Sequence, residues 1–78
     1  GAIIEWVELT ADSPLVGGTL GESDVRSETG VTVMAVQRGE ETLPNPGPET
    51  ELQVGDLLVA VGTREEHAAF ETFVEVQE

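Results

Sequence analysis

Residues 29–39 read TGVTVMAVQRG, an apolar run with a glycine near each end. Apolar side chains occur at both the odd-numbered and the even-numbered positions of this run, so both faces of a strand here would be largely apolar. This is typical of a strand at the centre of a sheet with both faces covered. Gly39 can adopt the positive φ that a tight reversal needs. We therefore expect a central strand over residues 31–38 and a short returning strand over residues 41–43.

Two further segments predict strands on either side of this hairpin. Residues 57–61, LLVAV, form a second apolar run and predict a second central strand. Residues 2–9 are rich in β-branched and aromatic side chains and predict a half-buried first strand. Between the hairpin and the second central strand, the three prolines of residues 44–48 lack the N–H that a ladder requires, so we expect a loop there.

Two capping-box sequences predict where helices begin. TLGE at residues 19–22 precedes a helix over about residues 20–27, closed by Gly30, and TREE at residues 63–66 opens a helix that runs to about Val74. The expected fold class is therefore α+β: a small, mostly antiparallel sheet of about four strands with two short helices packed on it.

The composition excludes several classes of function. The chain has 78 residues, with sixteen acids, three arginines, no lysine and no cysteine, and its net charge is −13. A basic face for nucleic acid or anionic lipid is excluded by these counts, and the absence of cysteine excludes a disulfide framework or a thiolate zinc site. The apolar runs fall far short of the ~20 residues of a membrane-spanning helix. We expect neither nucleic-acid binding nor direct insertion into a membrane.

The length predicts a single domain over residues 1–78. Because the chain starts at Gly1 and shows no signal-peptide pattern, we expect it to be cut from a longer polypeptide. A chain this small has little room for both a core and a catalytic pocket. We therefore expect that it is not an enzyme. Ser13 and His67 could be combined with a carboxylate as a hydrolase triad, but the chain lacks the Gly-x-Ser-x-Gly nucleophile elbow.

Two ordered blocks of sequence resemble the TrkA-C domain, also called RCK-C. The first block consists of SPLVGGTL at residues 13–20 and the hairpin strand at residues 29–39. The second consists of LPNP at residues 43–46 and LQVGDLLVAVG at residues 52–62. The resemblance covers roughly residues 2–74, and its specificity comes from the order of the blocks rather than from any one of them.

The resemblance implies regulation rather than catalysis. Such domains lie at the C-terminal end of cytosolic subunits or tails that gate potassium channels, potassium uptake systems and cation–proton antiporters. They pair as homodimers, and in several members a small ligand lies in the groove between the two copies. Cyclic di-AMP is the best known of these ligands. The implied partners are a second copy and a membrane cation channel or transporter subunit. The implied location is cytoplasmic, at the inner face of the plasma membrane. The candidate ligand is cyclic di-AMP, and no cofactor is implied with certainty.

The resemblance also implies a candidate dinucleotide site in the dimer groove. The matching positions are Val16, Thr32, Arg38, Leu43 and Pro44. Adenine rings pack on aliphatic surface, and an arginine fork could donate to the phosphates. Thr32 departs from the pattern by placing a hydroxyl where an aliphatic residue is usual, and the segment from Arg38 to Leu43 is one residue shorter than in some relatives. Glu40 and Glu41 beside the turn would repel phosphate.

Two alternative functions remain open. One is a purely structural dimerisation module without a ligand, in which Arg38 pairs on the surface with the neighbouring glutamates. The other is a cation-binding regulatory domain that uses loose acids such as Asp12, Glu22 and Asp24, although no EF-hand spacing is present.

Three single residues have structural expectations of their own. His67 lies on the apolar stripe of the last helix, and we expect it to be packed there rather than bound to a metal. Asp56 follows Gly55 in a turn and could contribute to a cation site, but an aspartate at such a position usually bonds its own backbone. Trp6 lies at the edge of the first strand, where we expect it to anchor an interface.

The charge predicts that stability depends on salt, as in a protein of a halophile. The alternative is an acidic mesophilic protein whose excess charge serves only solubility. Sixteen carboxylates repel one another at low ionic strength, and molar salt shortens the Debye length to about 3 Å. We expect melts followed by circular dichroism to give a higher Tm at about 2 M than at about 20 mM KCl. An uncharged osmolyte of equal osmolality is the control, and equal stability at both salt concentrations would contradict the halophile interpretation.

Overall fold

The computed structural model describes residues 1–75 and contains one four-stranded sheet. Its strands are β1 (Ile3–Glu8), β2 (Thr32–Arg38), β3 (Glu41–Pro44) and β4 (Leu57–Gly62). The strand order is β1-β4-β2-β3, and every neighbouring pair is antiparallel. The sheet is thus the expected one, with β2 and β4 at its centre.

Three helices accompany the sheet: α1 (Leu20–Ser23), α2 (Val25–Thr29) and α3 (Arg64–Val74). Both expected capping boxes form, at Thr19 and at Thr63. The expectation of one continuous helix over residues 20–27 is wrong, because Asp24 adopts a left-handed conformation with φ 55° and ends α1. Aspartate is among the few residues that tolerate this conformation. Gly30, with φ 85°, closes α2 as expected.

Within residues 1–75, the helices pack on one face of the sheet only. The hydrophobic core lies on that covered face and contains the most buried side chains of β2 and β4, together with Phe70 and Val74 of α3. The fully buried residues on the two central strands are Val36, Leu58 and Ala60. The α+β class, with its antiparallel sheet and helices packed on it, is confirmed.

The opposite side of the sheet, which we call the open face, carries no helix among the described residues. Antiparallel partners point to the same side of a sheet, so the register assigns residues to this face. They are Ile4, Trp6 and Glu8 of β1, Leu57, Val59 and Val61 of β4, Thr32, Ala35 and Gln37 of β2, and Thr42 and Pro44 of β3. All of them are exposed or only half-buried. The open face is therefore a largely apolar surface without a covering layer.

The start of β2 forms a strand edge that β3 does not cover. β3 pairs with β2 only from Ala35 onward, because the chain leaves the sheet after Pro44. A bulge at Met34 shifts the register between Val33 and Ala35, and the Asn45 amide donates to the Met34 carbonyl at 2.9 Å. Residues 32–33 thus have a β4 neighbour on one side and no strand on the other.

Candidate functional site

A bidentate ion pair joins the hairpin to the turn before β4. Arg38 Nε and Nη2 donate to the two carboxylate oxygens of Asp56, each at 2.8 Å, and Nη2 also donates to the Glu51 carbonyl at 2.8 Å. The Gln53 amide donates to Asp56 Oδ2 at 2.9 Å. Asp56 is fully buried, whereas the Arg38 side chain is 31% exposed. The arginine therefore reaches from the surface to satisfy a buried carboxylate.

The electrostatics of this pair follow from its geometry. The Arg38 hydrogen bonds hold the pKa of Asp56 below its usual value, helped by the Gln53 amide and opposed by burial. The hydrogen bonds with Asp56 likewise raise the pKa of Arg38. The partner of Arg38 is therefore Asp56, and the alternative in which it pairs with Glu40 and Glu41 is wrong. Asp56 does bond its own backbone turn, as expected, but it also holds the arginine.

The five candidate residues from the sequence do not form one patch on a single chain. Thr32 and Pro44 lie on the open face and are exposed. Arg38 and Leu43 point to the covered side, Leu43 against the core and Arg38 into its bond with Asp56. Val16 lies in the loop before α1 and packs against the core. Only Thr32 and Pro44 are placed where a second copy could reach them across the open face.

The open face has few acidic side chains and several exposed apolar ones. Of the acidic residues that the structure describes, only Glu8 points from a strand to this face. Its large apolar residues are unusually exposed, with Trp6 60% and Ile4 47% accessible, and Met34 at the bulge beside it 40% accessible. On a chain with a net charge of −13, an apolar surface almost free of carboxylates is suited to contact with protein rather than with water.

A cleft opens where the uncovered edge of β2 meets α1, α2 and the loop with three prolines at residues 44–48, which we call the proline loop. It has a volume of about 250 Å³ and its lining residues are Leu20, Gly21, Asp24, Val25, Arg26, Val31, Thr32, Val33 and Pro48. The Gly21 amide donates to the Pro48 carbonyl at 2.8 Å, and a Cβ at Gly21 would lie 2.8 Å from the Pro48 Cβ. Glycine at this position therefore lets the proline loop close one wall of the cleft.

Arg26 is the cleft residue that sequence reasoning missed. It lies on α2 and is exposed, and within residues 1–75 its guanidinium has no ion-pair partner. Its position in the sequence, on a short polar helix, carries no signal of a site. Only the folded arrangement brings it beside Thr32, the one sequence candidate that also lines the cleft.

His67 is packed in the core of the helix layer. It is 2% exposed, its Nε2 lies 2.7 Å from the Ile3 carbonyl, and its Nδ1 lies 3.2 Å from Glu5 Oε1 without the alignment of a hydrogen bond. Over the described part of the chain, no group of three His, Cys, Asp or Glu side chains is placed to hold a metal ion. Nor does that part contain a helix with the length and apolar character that crossing a membrane requires.

The comparison with protein families rests on most of the chain. The model of the TrkA-C domain matches residues 4–74. The chain belongs to the TrkA-C domain family. Among curated proteins, it is 41% identical over 63 residues to the K(+)/H(+) antiporter subunit KhtT of Bacillus subtilis, and 38% identical over 56 residues to Potassium channel protein 1 of Methanocaldococcus jannaschii. These matches cover 80% and 72% of this TrkA-C chain but only 38% and 17% of the two relatives.

Solved structures give the same family. The RCK_C domain dimer of S. agalactiae BusR in complex with c-di-AMP is similar with a TM-score of 0.84 and 27% identity, over 91% of this chain and 88% of that one. BusR has also been solved in complex with its busAB-promotor DNA, with the similarity covering 35% of that chain. The resemblance to RCK-C domains is thus confirmed. The expectation that nucleic acid is not a partner stays a prediction about this TrkA-C domain, because the structural neighbour BusR has been solved in complex with DNA.

The Arg38–Asp56 pair predicts an acid-sensitive contribution to stability. Because the folded-state pKa of Asp56 lies below the unfolded value, the pair stabilises the fold above about pH 4, and this contribution is lost as the pH falls through the folded-state pKa. We expect Asp56→Asn to lower the free energy of unfolding by about 2 kcal/mol at neutral pH. The difference between wild type and variant should shrink towards pH 3 in urea titrations.

A matched control distinguishes the loss of this ion pair from the loss of one negative charge near the arginine. Glu41 lies opposite Arg38 in the β2–β3 register and is exposed, so Glu41→Gln removes one carboxylate near the arginine without touching Asp56. We expect Glu41→Gln to change the free energy of unfolding by less than about 0.5 kcal/mol. The role of the Arg38–Asp56 pair would be contradicted if both variants lost the same free energy of unfolding. It would also be contradicted if the difference between wild type and Asp56→Asn did not depend on pH.

Proposed function

We propose that this chain is a ligand-responsive dimerisation domain that regulates a potassium or other cation transport protein. The observation that carries the proposal is the open face, an apolar surface around Trp6 that residues 1–75 leave uncovered. The family membership and the potassium channel and antiporter names of the curated relatives support the transport context. The domain would then act on the cytoplasmic side of the transporter to which it is attached.

The occupant of the open face that fits best is a second copy of the same chain. A two-fold interface brings the same patch together from both partners, so a surface rich in apolar residues and poor in charge suits self-association. Trp6 would lie near the centre of the β1–β4 part of this face, opposite Val59 in the register, as a large anchor residue. The similar BusR domain, described as an RCK_C domain dimer, supports this arrangement.

Cyclic di-AMP is the ligand we propose for the dimer. The BusR RCK_C dimer holds this ligand, and Thr32 and Pro44 lie where two copies joined at their open faces would meet. Leu43 and Val16 would support the site from the core side, and Arg38 would act through its bond to Asp56, which fixes the hairpin. Binding would act by a population shift, favouring the dimer geometry with the higher affinity for the ligand.

A structural dimerisation module without a ligand is the second candidate, and one observation favours it. Arg38, the arginine expected to meet the phosphates, is held by Asp56 and by the Glu51 carbonyl. In this alternative the same open face forms the dimer, and sensing belongs to another part of the full-length protein.

Dimerisation through the open face can be tested at Trp6. We expect Trp6→Ser to raise the dimer dissociation constant at least tenfold in sedimentation equilibrium, because an exposed aromatic anchor is lost from the interface. Val54→Ser is the matched control, since Val54 is 58% exposed but lies in the turn before β4 and outside the open face. Wild type that stays monomeric while folded, or equal weakening by both substitutions, would refute this interface.

Ligand binding can be tested separately by calorimetry on the wild-type dimer. We expect cyclic di-AMP to bind with a Kd on the order of micromolar and to raise the Tm, because a ligand that binds only the folded state stabilises it by mass action. Cyclic di-GMP at the same concentration is the control for nonspecific effects of a charged dinucleotide. An intact dimer that gives neither heat nor a Tm shift would support the structural module instead.

A further inference from the structure

We propose that a groove on the helix layer is a docking site for a basic amphipathic helix, contributed by the cytoplasmic side of the membrane transport protein that this domain regulates. The identity of the partner rests on the proposed function, and the inference goes beyond that function by assigning a second interaction surface. This surface lies on the side of the molecule away from the open face. A partner could therefore bind here while two copies remain joined there.

The groove runs between α3 and the segment that precedes β2, and we call it the helix groove. It has a volume of about 540 Å³, and its walls include Pro14 and Leu15 of the loop before α1, Glu28 and Thr29 of α2, and Ala69 and Phe73 of α3. No strand residue of the described part of the chain lines it. Its size falls within the roughly 300–1,000 Å³ of typical binding sites, so it can receive more than one side chain of a partner.

The walls of the helix groove offer apolar contacts to a helix. Leu15 is buried at its base, and Phe73 is half-buried. Ala69 is exposed, and its small side chain lets another helix approach α3 closely, because the distance between packed helices depends on the side chains at the contact. A helix laid in the groove would touch α2 and α3 at once, which is the arrangement in which grooves between helices bind the apolar stripe of a third.

The hydroxyl groups in the groove do not oppose an apolar occupant. Ser23 Oγ donates to the Leu20 carbonyl at 2.6 Å, and Thr29 Oγ1 donates to the Val25 carbonyl at 2.8 Å. Burying a hydroxyl is costly when it loses its hydrogen bond to water without gaining another. Because these two donors already have partners within the domain, an apolar side chain could cover them without that cost.

The charge around the groove indicates a cationic partner. Glu28 lines the groove, is exposed and has no ion-pair partner among residues 1–75. A smaller hollow continues the groove through Leu15 and Ser23 and is lined by Glu22. None of the three arginines lines the groove or the hollow. Lysine or arginine side chains beside an apolar stripe would therefore meet carboxylates here, and the net charge of −13 would attract them from a distance.

A second copy of the chain is a poor occupant of this groove. A two-fold contact would place the acidic rim of one copy against the same rim of the other, and like charges at a contact cost free energy. The open face, with Glu8 as the only acid that points to it from a strand, is the better surface for self-association.

The partner that best supplies the required charge is a segment next to a membrane. Cytoplasmic loops of membrane proteins carry an excess of lysine and arginine close to their membrane-spanning helices. A basic segment with an apolar stripe has the pattern of a helix that binds either a membrane surface or an apolar protein groove. The helix groove would thus compete with the membrane surface for such a segment, which gives the domain a direct contact with the transport protein.

The test uses a defined probe, a fluorescent helical peptide of about 18 residues built from leucine and lysine with its leucines on one face. A scrambled peptide of the same composition measures attraction by charge alone. Ala69→Lys places a long cation in the groove, whereas Ala68→Lys adds the same charge on α3 at an exposed position outside it. In anisotropy titrations at one salt concentration, we expect Ala69→Lys to raise the Kd of the helical peptide about tenfold and Ala68→Lys less than about threefold.

A second pair of variants tests the acidic rim. Glu28→Gln and Glu65→Gln each remove one carboxylate from an exposed position, but only Glu28 lines the groove. We expect Glu28→Gln to raise the Kd of the helical peptide about threefold and Glu65→Gln to change it by less than about 1.5-fold, because screening leaves mainly the nearby charge effective. Equal effects of the two substitutions would overturn the role of Glu28 in recognising the basic partner.

The remaining outcomes separate this inference from the proposed function. The groove assignment is overturned if the scrambled peptide binds as tightly as the helical one, or if Ala68→Lys weakens binding as much as Ala69→Lys. It is also overturned if folded, dimeric wild type leaves the helical peptide unbound at concentrations up to about 100 μM. Dimerisation and cyclic di-AMP binding are measured without the peptide, so each of these results leaves the proposed function standing. Wild type that stays monomeric would refute the dimer while peptide binding still reports on the groove.

Discussion

Strand β4 is apolar on both of its faces, but within residues 1–75 helices cover only one face of the sheet. This mismatch is the constraint on which the molecule depends. The covered face buries Val36, Leu58 and Ala60 completely, while the opposite positions, such as Val59 and Val61, remain half-exposed. With 78 residues, the three helices complete one layer and no second one follows in the described part of the chain. A layer supplied by another copy is the simplest solution, since each protomer then covers the other's apolar surface.

The Arg38–Asp56 pair explains why Arg38 is not free beside the other candidate residues that the resemblance implies. Asp56 is buried at the start of β4, so its charge needs a partner that is always protonated, and Arg38 at the end of β2 supplies it. The pair fixes the hairpin against the turn before β4, beyond what the β2–β4 ladder alone would hold. An arginine engaged in this way is a structural residue first, and any role of Arg38 towards a ligand would act through the position of the hairpin.

The sequence predicted the elements better than the contacts between them. Periodicity identified both central strands, and Gly39 and the two capping boxes placed the hairpin and the helix starts, because each of these signals is local. The break at Asp24 was missed, since an aspartate in a short polar segment is compatible with a continuous helix. The Arg38–Asp56 bond joins residues 18 positions apart, and the cleft requires Pro48 to close on Gly21. Contacts of this kind depend on how the loops return to the sheet, which local patterns do not encode.

The charge of the chain bears on where two copies could meet. Two protomers of charge −13 repel each other, so an interface is favoured where carboxylates are few. Among the acids of residues 1–75, only Glu8 points from a strand to the open face, so contact through that face would bring few carboxylates together. A ligand would shift such a dimer between two geometries only if it bound one of them more tightly, because equal affinity for both states would shift nothing.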